Sequence, residues 1–352
     1  MKKKMNKNSL NGFINYGIVI AAFAVIQVFI GMGKMSNSLQ SLLVPACCYI
    51  VMAVSLNLTV GILGELSLGH AGFMSLGAFS GITASILLQS AVPMAPVRLA
   101  VSMVIGAVAG ALGGVIVGVP VLRLQGDYLA IVTLAFGQII KNIIMVLYVG
   151  VDEKGFHIAA SSEHFNLAAG GTTIIKGPMG AVGVTKLASF TAGFVLILIT
   201  LLVVQNLVNS RSGRAIMALR DNRIAAESVG INTTKYKLMA FVTSAALAGA
   251  AGALFGLNYS STVASKFDFN ASILVLVFVV LGGLGSIRGS IIAAALLYVL
   301  PELLRQFGDI ADYRMLVYAI VLILVMLATN NDQLKALVGR IIPKRKGAAS
   351  HG

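Results

Sequence analysis

Residues 61–79 read GILGELSLGHAGFMSLGAF and lie between two apolar runs. The stretch holds five glycines, two serines, a glutamate and a histidine, where a segment selected only for lipid solubility would hold leucine and valine. Small residues let helix backbones pack closely in lipid, and serine hydroxyls can bridge neighbours. In a span at 68–88, Gly69, Gly72, Gly77, Ala78 and Gly81 give the helix small faces, while Ser67, Ala71 and Ser75 recur every four residues. A helix break near 61–69 is tolerated at membrane depth only against protein or a water-filled cavity. Glu65 and His70 fall near one end of the span. They either border a translocation path or are interfacial side chains satisfied by nearby backbone.

The surrounding chain explains why such a segment is needed. Of its 352 residues, 58% are hydrophobic and 11% charged, against roughly a quarter charged in soluble domains. Apolar runs of about 18–25 residues suit helices crossing a hydrocarbon core of about 30 Å. The alternation expected of a membrane barrel is absent. These features predict an all-α, polytopic integral membrane protein of about ten spans. They fall at 13–33, 39–60, 68–88, 98–119, 128–149, 188–208, 238–258, 271–285, 288–303 and 313–329, with tails at 1–12 and 330–352. The eighth and ninth, joined by Gly282-Gly283-Leu284-Gly285, either cross fully or form a re-entrant hairpin. The basic start MKKKMNKNSL and Ala22-Phe23-Ala24 imitate a signal peptide, but VIQVFIGMG continues the apolar run, so an uncleaved first span is expected.

The net charge of +14 is distributed as topology rather than as a nucleic-acid surface. With the N-terminus in the cytoplasm, Lys and Arg in inside segments outnumber those outside by about two to one. Both termini are then expected to be cytoplasmic. Cys47 and Cys48 are adjacent within an apolar run, which disfavours a bridge and gives no metal spacing.

Two loops stand out. The outer one, 150–187, is long, glycine-rich and contains His157 and His164; it reads either as a solvated connector with a short helix or as a docking surface. The inner one, 209–237, holds SRSGRAIMALRDNRIAAESVGINTTKYKLMAF. Asp221 or Asn222 can cap a short helix over 222–229 centred on Ala225-Ala226, Gly230 can end it, and Thr233 or Thr234 can cap the next helix. A capped short helix on a cytoplasmic face suits docking to another protein.

Chemistry is sparse. Lys141 is the main ionisable residue within a span, where charge is a functional candidate by default, though its stem can snorkel outward. Ion-coupled carriers use intramembrane carboxylates, and this chain offers almost none. Gly31-Met32-Gly33-Lys34 lacks the remainder of a phosphate loop. His70, His157, His164 and His351 have no spacing that assembles a catalytic site. Small-residue stretches recur at 244–256 and 281–295, predicting a compact bundle around a narrow or shared path.

GELSLGHAGFMSLGAF (64–79), GDYLAIVTLAFGQIIK (126–141), IAAESVGINTTKYKLMAFVTSAALAGAAGAL (224–254) and GGLGSIRGSIIAAALLYVLPELLR (282–305) together resemble the permease subunits of branched-chain amino-acid ABC importers, most closely the LivM type. The resemblance covers about 40–330. It implies a non-catalytic subunit of the bacterial cytoplasmic membrane that forms half of a path for leucine, isoleucine or valine. The implied partners are a second related permease, two cytoplasmic ATPases that use ATP and Mg, and an external substrate-binding protein. This chain itself would bind no cofactor. The 222–230 segment is similar to the family's coupling segment, Glu-Ala-Ala, three residues, then Gly. Ala225, Ala226 and Gly230 match; Ile224 stands where the glutamate would be; Asp221 precedes the match and Glu227 falls within it. Glu65, Ser67, Gly69, His70, Gly72, Gly77 and Lys141 are the candidates for path lining and helix packing. Alternatives are the same machinery with urea, amide or sugar cargo, an ion-coupled carrier or channel acting alone, or a membrane-anchored interaction protein.

Overall fold

The computed structural model describes residues 7–305, except 34–35, 90, 123, 125, 153–154, 163–164, 166 and 168–170, plus 316–317, 319–320 and 323. Side chains are described from Asn15 onward. Residues 1–6 of the expected N-terminal tail, the expected C-terminal tail, nearly all of the expected tenth span at 313–329, Lys34, Arg123, Lys154, His164 and His351 lie outside the described residues, while 7–12 of the expected N-terminal tail are already helical. The chain divides into a large unit, Met1–Leu296, and a smaller one, Leu297–Gly352. In the latter the final helix is described as far as Arg305.

The large unit is a helical bundle. Its long helices are α1 (Lys7–Gly31), α2 (Asn37–Asn57), α3 (His70–Leu87), α4 (Ala95–Val121), α5 (Asp127–Val146), α6 (Phe190–Asn209), α9 (Thr233–Gly256), α10 (Phe269–Gly282) and the first part of α11 (Ile287–Arg305), whose last residues belong to the smaller unit. Eight segments among the described residues are long and apolar enough to cross a membrane, and α1 contributes a shorter apolar helix at Asn15–Gly31. The protein is a polytopic membrane bundle. The segments around 283–286, at Ala264–Gly282 and Ile287–Leu304, have 19 and 18 residues, each enough for a full crossing.

The centre of the bundle is α3, α4 and α9, pressed together by glycine. A methyl group on Gly77 would overlap the Gly249 backbone, and one on Gly249 would overlap the Gly106 carbonyl. Main chain therefore lies on main chain, the arrangement that small residues permit where lipid offers no hydrophobic drive for association. The expected third member of this trio, the 281–295 stretch, instead closes on itself through Gly282 and Gly289. Its place is taken by α4, with Gly106, Gly110 and Gly114 at four-residue spacing.

The outer segment departs from the expected connector with a short helix. It forms β1 (Tyr148–Asp152), β2 (Gly155–Ala159), β3 (Thr172–Lys176) and β4 (Ala181–Val182), joined by β5 (Ser261–Thr262) into an antiparallel sheet of order β2-β1-β3-β4-β5. Ile174, Ile175 and Val149 are buried within it. A 3-10 turn at Gly177–Met179 follows β3. His157 sits on β2, 2.9 Å from Asp152.

At the opposite end of the bundle, α6 leads into α7 (Arg211–Asp221) and α8 (Arg223–Ser228) before α9 begins. Sequence reading anticipated α8 but not α7. Ser210 caps α7 by accepting from Gly213 N at 3.1 Å. The cap of α9 is Asn232, accepting from Lys235 N at 3.0 Å, rather than either expected threonine.

Candidate functional site

The site is built where the opening stretch breaks. After Asn57 the helix loosens into a π-helical turn, Leu58–Leu63, then ends at Gly64 in a left-handed conformation, φ +81°. Residues 64–69 run without regular structure until α3 begins at His70. Such a break deprives backbone groups of helical partners, and buried groups must find others. They do. Glu65 N donates to Thr59 O at 3.1 Å, Leu68 N to Thr133 Oγ1 at 3.1 Å, and Ala71 N to Ser272 Oγ at 3.1 Å. Thus α5 and α10 supply side-chain oxygens to the broken segment.

His70, expected near the end of the span, is 3% exposed and lies 2.8 Å through Nε2 from Ser55 Oγ. Glu65 forms an ion pair with Lys237 at the start of α9, a residue 4% exposed. The structure therefore joins Glu65 and His70 to α9 and α2, not only to nearby backbone. Ser67 is buried with no hydrogen-bond partner for its Oγ among the described residues. Gly69 lies against the Thr133 carbonyl and Gly72 against Gly137 Cα, so these glycines seat α3 on α5; Gly77 seats it on α9. Lys141, one turn beyond Gly137 on α5, is half-buried and makes no polar contact with Glu65 or His70. It stands apart from this assembly.

A junction that sequence reading missed joins the break to the α7–α8 end. Arg220 Nη1 donates to the Gly61 carbonyl at 3.1 Å, and its side chain packs over Gly64. Gly285 N donates to Asn57 Oδ1 at 2.8 Å. A methyl on Gly61 would overlap both Asn57 Oδ1 and Gly285 N. Beneath this polar junction, Ile216 of α7 packs with Leu58, Ile62, Leu63 and Ala240 in one apolar cluster. α7 is therefore fastened to the π-helical turn by a charge-assisted hydrogen bond and by buried apolar surface.

α8 is fastened to α7 and α9 by its caps. Asn222 Oδ1 accepts from Ala225 N at 3.0 Å; the cap is Asn222, not Asp221, which pairs with Arg220 at 3.1 Å. At the other end Gly230 takes φ +85°, Gly230 N donates to Glu227 O at 3.0 Å and Ile231 N to Ala226 O at 3.1 Å. This is the two-bond glycine termination of a helix. Glu227 accepts from Thr233 Oγ1 at 2.6 Å and pairs with Arg223 at 2.8 Å. The Thr233 hydrogen bond first, and Arg223 second, hold its carboxyl below the ordinary carboxylate range. Ala226 is buried, whereas Ala225 faces outward and Ile224 and Val229 are 80% and 75% exposed. The short helix thus presents apolar side chains from a fixed platform.

This combination matches known permeases. Residues 38–326 match the family described as branched-chain amino acid transport system / permease component. The chain belongs to that family. The permease is 34% identical over 293 residues to the high-affinity branched-chain amino acid transport system permease protein LivM of Salmonella typhimurium, covering 79% of this chain and 66% of that one. It is similar to the same degree to LivM of Escherichia coli K12. The match thus spans just under two thirds of the length of those relatives. Over 312 residues it is 24% identical to the fructose import permease protein FruG of Bifidobacterium longum, covering 87% of this chain and 85% of that one. No solved structure matches the permease.

Proposed function

We propose that the permease is one of two membrane subunits of an ATP-driven importer of leucine, isoleucine and valine. A second related permease completes the path. Two cytoplasmic ATPases, which use ATP and Mg, dock at α8, and an external binding protein delivers the amino acid at the five-stranded sheet. This orients the α7–α8 end and both termini toward the cytoplasm of a bacterial cell, in agreement with the basic bias of that side. The permease does no chemistry on its cargo and holds no cofactor.

The observation that carries this reading is the mechanical line from α8 to the broken helix. Closure of the ATPases would displace α8; α7 would follow, because Asn222 ends α7 by donating to Ala218 O and caps α8 by accepting from Ala225 N. Arg220 and Ile216 would then move the π-helical turn at 58–63. Residues 64–69 are the natural pivot, since they form no helical ladder and Thr133 of α5 holds Leu68 N. The glycine-packed block of α3, α4 and α9 would swing as a unit, opening the path alternately to each side. Phe156, Ile158 and Met179, exposed on and beside the sheet, offer an apolar face to the binding protein.

The test is affinity purification of the assembled importer from its native membrane, comparing wild type with Ala226→Asp/Gly230→Pro. Recovery of an ATPase and a second permease with wild type, and loss of the ATPase from the variant, supports the reading. Wild type that purifies alone yet transports in ATP-free vesicles overturns it in favour of a carrier. Similarity to FruG over most of both chains favours sugar as the second cargo; ligand binding by the copurified binding protein decides between them.

A further inference from the structure

A cavity of about 550 Å3 opens between α1, α6, α7 and the turn before α11, lined by Asn15, Gln205, Asn209, Arg214, Ser286 and Arg288, with Val208, Met217 and Ile287 completing its walls. Among the described residues its polar lining has two guanidinium groups and three amides and no carboxylate. Arg288 donates through Nε to Asn15 Oδ1, and Arg214 Nη1 lies 3.4 Å from the Asn209 carbonyl oxygen, which leaves the remaining donors of Arg214 to the cavity. Gln205 is only 9% exposed, yet its Nε2 has no hydrogen-bond partner among the described residues. A buried amide donor is costly to leave unpaired. Two guanidinium groups on one cavity, with a buried and unpartnered amide donor in its wall, suit an anion.

The position of the cavity narrows the anion. It lies where α6 ends at Asn209, with Asn15 of α1 on its wall close to the expected start of the first span at 13. That is the boundary between the apolar bundle and the basic α7 segment, the depth at which phospholipid phosphates lie. Basic pockets between membrane helices on this side are suited to anionic head groups. We propose that the cavity binds a phosphate-bearing anion, with the headgroup of an anionic phospholipid as the source favoured by its depth. Gln205 Nε2 and the Arg214 guanidinium donate to the phosphate oxygens, Arg288 contributes charge, and Val208, Met217 and Ile287 face the glycerol. Because α7 and the 283–286 turn both line the cavity and both meet the break, through Arg220 and Gly285, an occupied site would brace the junction. The assignment is independent of the cargo.

The test uses the full-length chain purified in neutral detergent. It is titrated separately with phosphatidylglycerol, phosphatidylcholine and inorganic phosphate at fixed salt, with retained lipid read by native mass spectrometry and unfolding temperature in parallel. Wild type is expected to retain phosphatidylglycerol in preference to phosphatidylcholine. Gln205→Leu and Arg214→Gln are each expected to weaken retention about fivefold; Arg211→Gln, exposed on α7 and not among the residues lining the cavity, is expected to weaken it less than either. If inorganic phosphate stabilises wild type and displaces the lipid, the site stands with a soluble source. If neither anion distinguishes wild type from the two cavity variants, the assignment falls. It falls equally if Gln205→Leu only raises the unfolding temperature while lipid retention stays at the wild-type level. Arg214→Gln, at an exposed position, reports even if Gln205→Leu fails to fold.

Discussion

Arg220 Nη1 lies 3.1 Å from the Gly61 carbonyl oxygen, across 159 residues of sequence. It is the one direct hydrogen bond, among the described residues, from α7 to the loosened turn of the opening stretch. A hydrogen bond from a charged donor contributes about 1.5–3 kcal/mol, so Arg220→Ala is expected to slow ATP-dependent uptake about tenfold or more. The ATPase should still copurify, because α8 keeps its own caps. Uptake and ATPase activity measured together in proteoliposomes check this; parallel losses of both, or no loss of either, would remove Arg220 from the coupling line.

The glycine core gives a stability prediction. A methyl on Gly249 would overlap the Gly106 carbonyl, while one on Gly17 meets nothing within 4 Å. Overpacking costs about 1–3 kcal/mol and sometimes more. Gly249→Ala is therefore expected to lower the unfolding temperature in detergent by several degrees. Gly17→Ala, in the open flank of α1, is expected to be neutral or mildly stabilising, since alanine favours helix by about 1 kcal/mol. Equal behaviour of the two variants would show that α4 and α9 can part without cost.

What the sequence revealed and concealed follows from range. α8 and its end at Gly230 are legible because Asn222, Ala225, Ala226 and Gly230 act within nine residues of one another. The spans are legible because composition alone marks them. α7 was concealed by its arginines, although Ile216 and Leu219, three apart and both buried, carried the helical signal. Gly106, Gly110 and Gly114, four apart, are equally legible as a close-packing face. Asn57 with Gly285, and Glu65 with Lys237, could not be read at all, since nothing local announces partners 228 and 172 residues away. The sheet was hidden for the same reason: β4 and β5 are two residues each and meet across α6 and α9.

Glu227 supplies a pH prediction. Its carboxyl is held low by Thr233 and Arg223, so its folded value lies below its unfolded one. The stabilisation it gives α8 is then fully present above the ordinary carboxylate pKa of about 4.5 and is lost as pH falls through the depressed folded value. Hydrogen exchange at residues 223–231 is expected to be flat in its protection from about pH 8 to 5.5 once intrinsic rates are removed, and to loosen only in stronger acid. In Glu227→Gln that acid step should vanish. Protection that instead changes near neutrality would assign the titration to another group.

The Glu65–Lys237 ion pair separates structure from coupling. Lys237 is 4% exposed and lies at the foot of α9, while Glu65 lies in the pivot. Removing one member of a buried pair leaves an uncompensated charge and costs about 3–5 kcal/mol, whereas replacing both with apolar residues is often nearly neutral. Lys237→Met and Glu65→Leu are each expected to lower the unfolding temperature sharply, and the double variant to recover most of it. If the pair merely stabilises the fold, uptake should recover along with stability. If it sets the angle of the pivot against α9, the double variant should be stable yet transport slowly, because two apolar side chains fix no register. We expect the second result. A double variant restored in both respects would confine this pair to stability and leave Arg220 and the 58–63 turn as the moving contact.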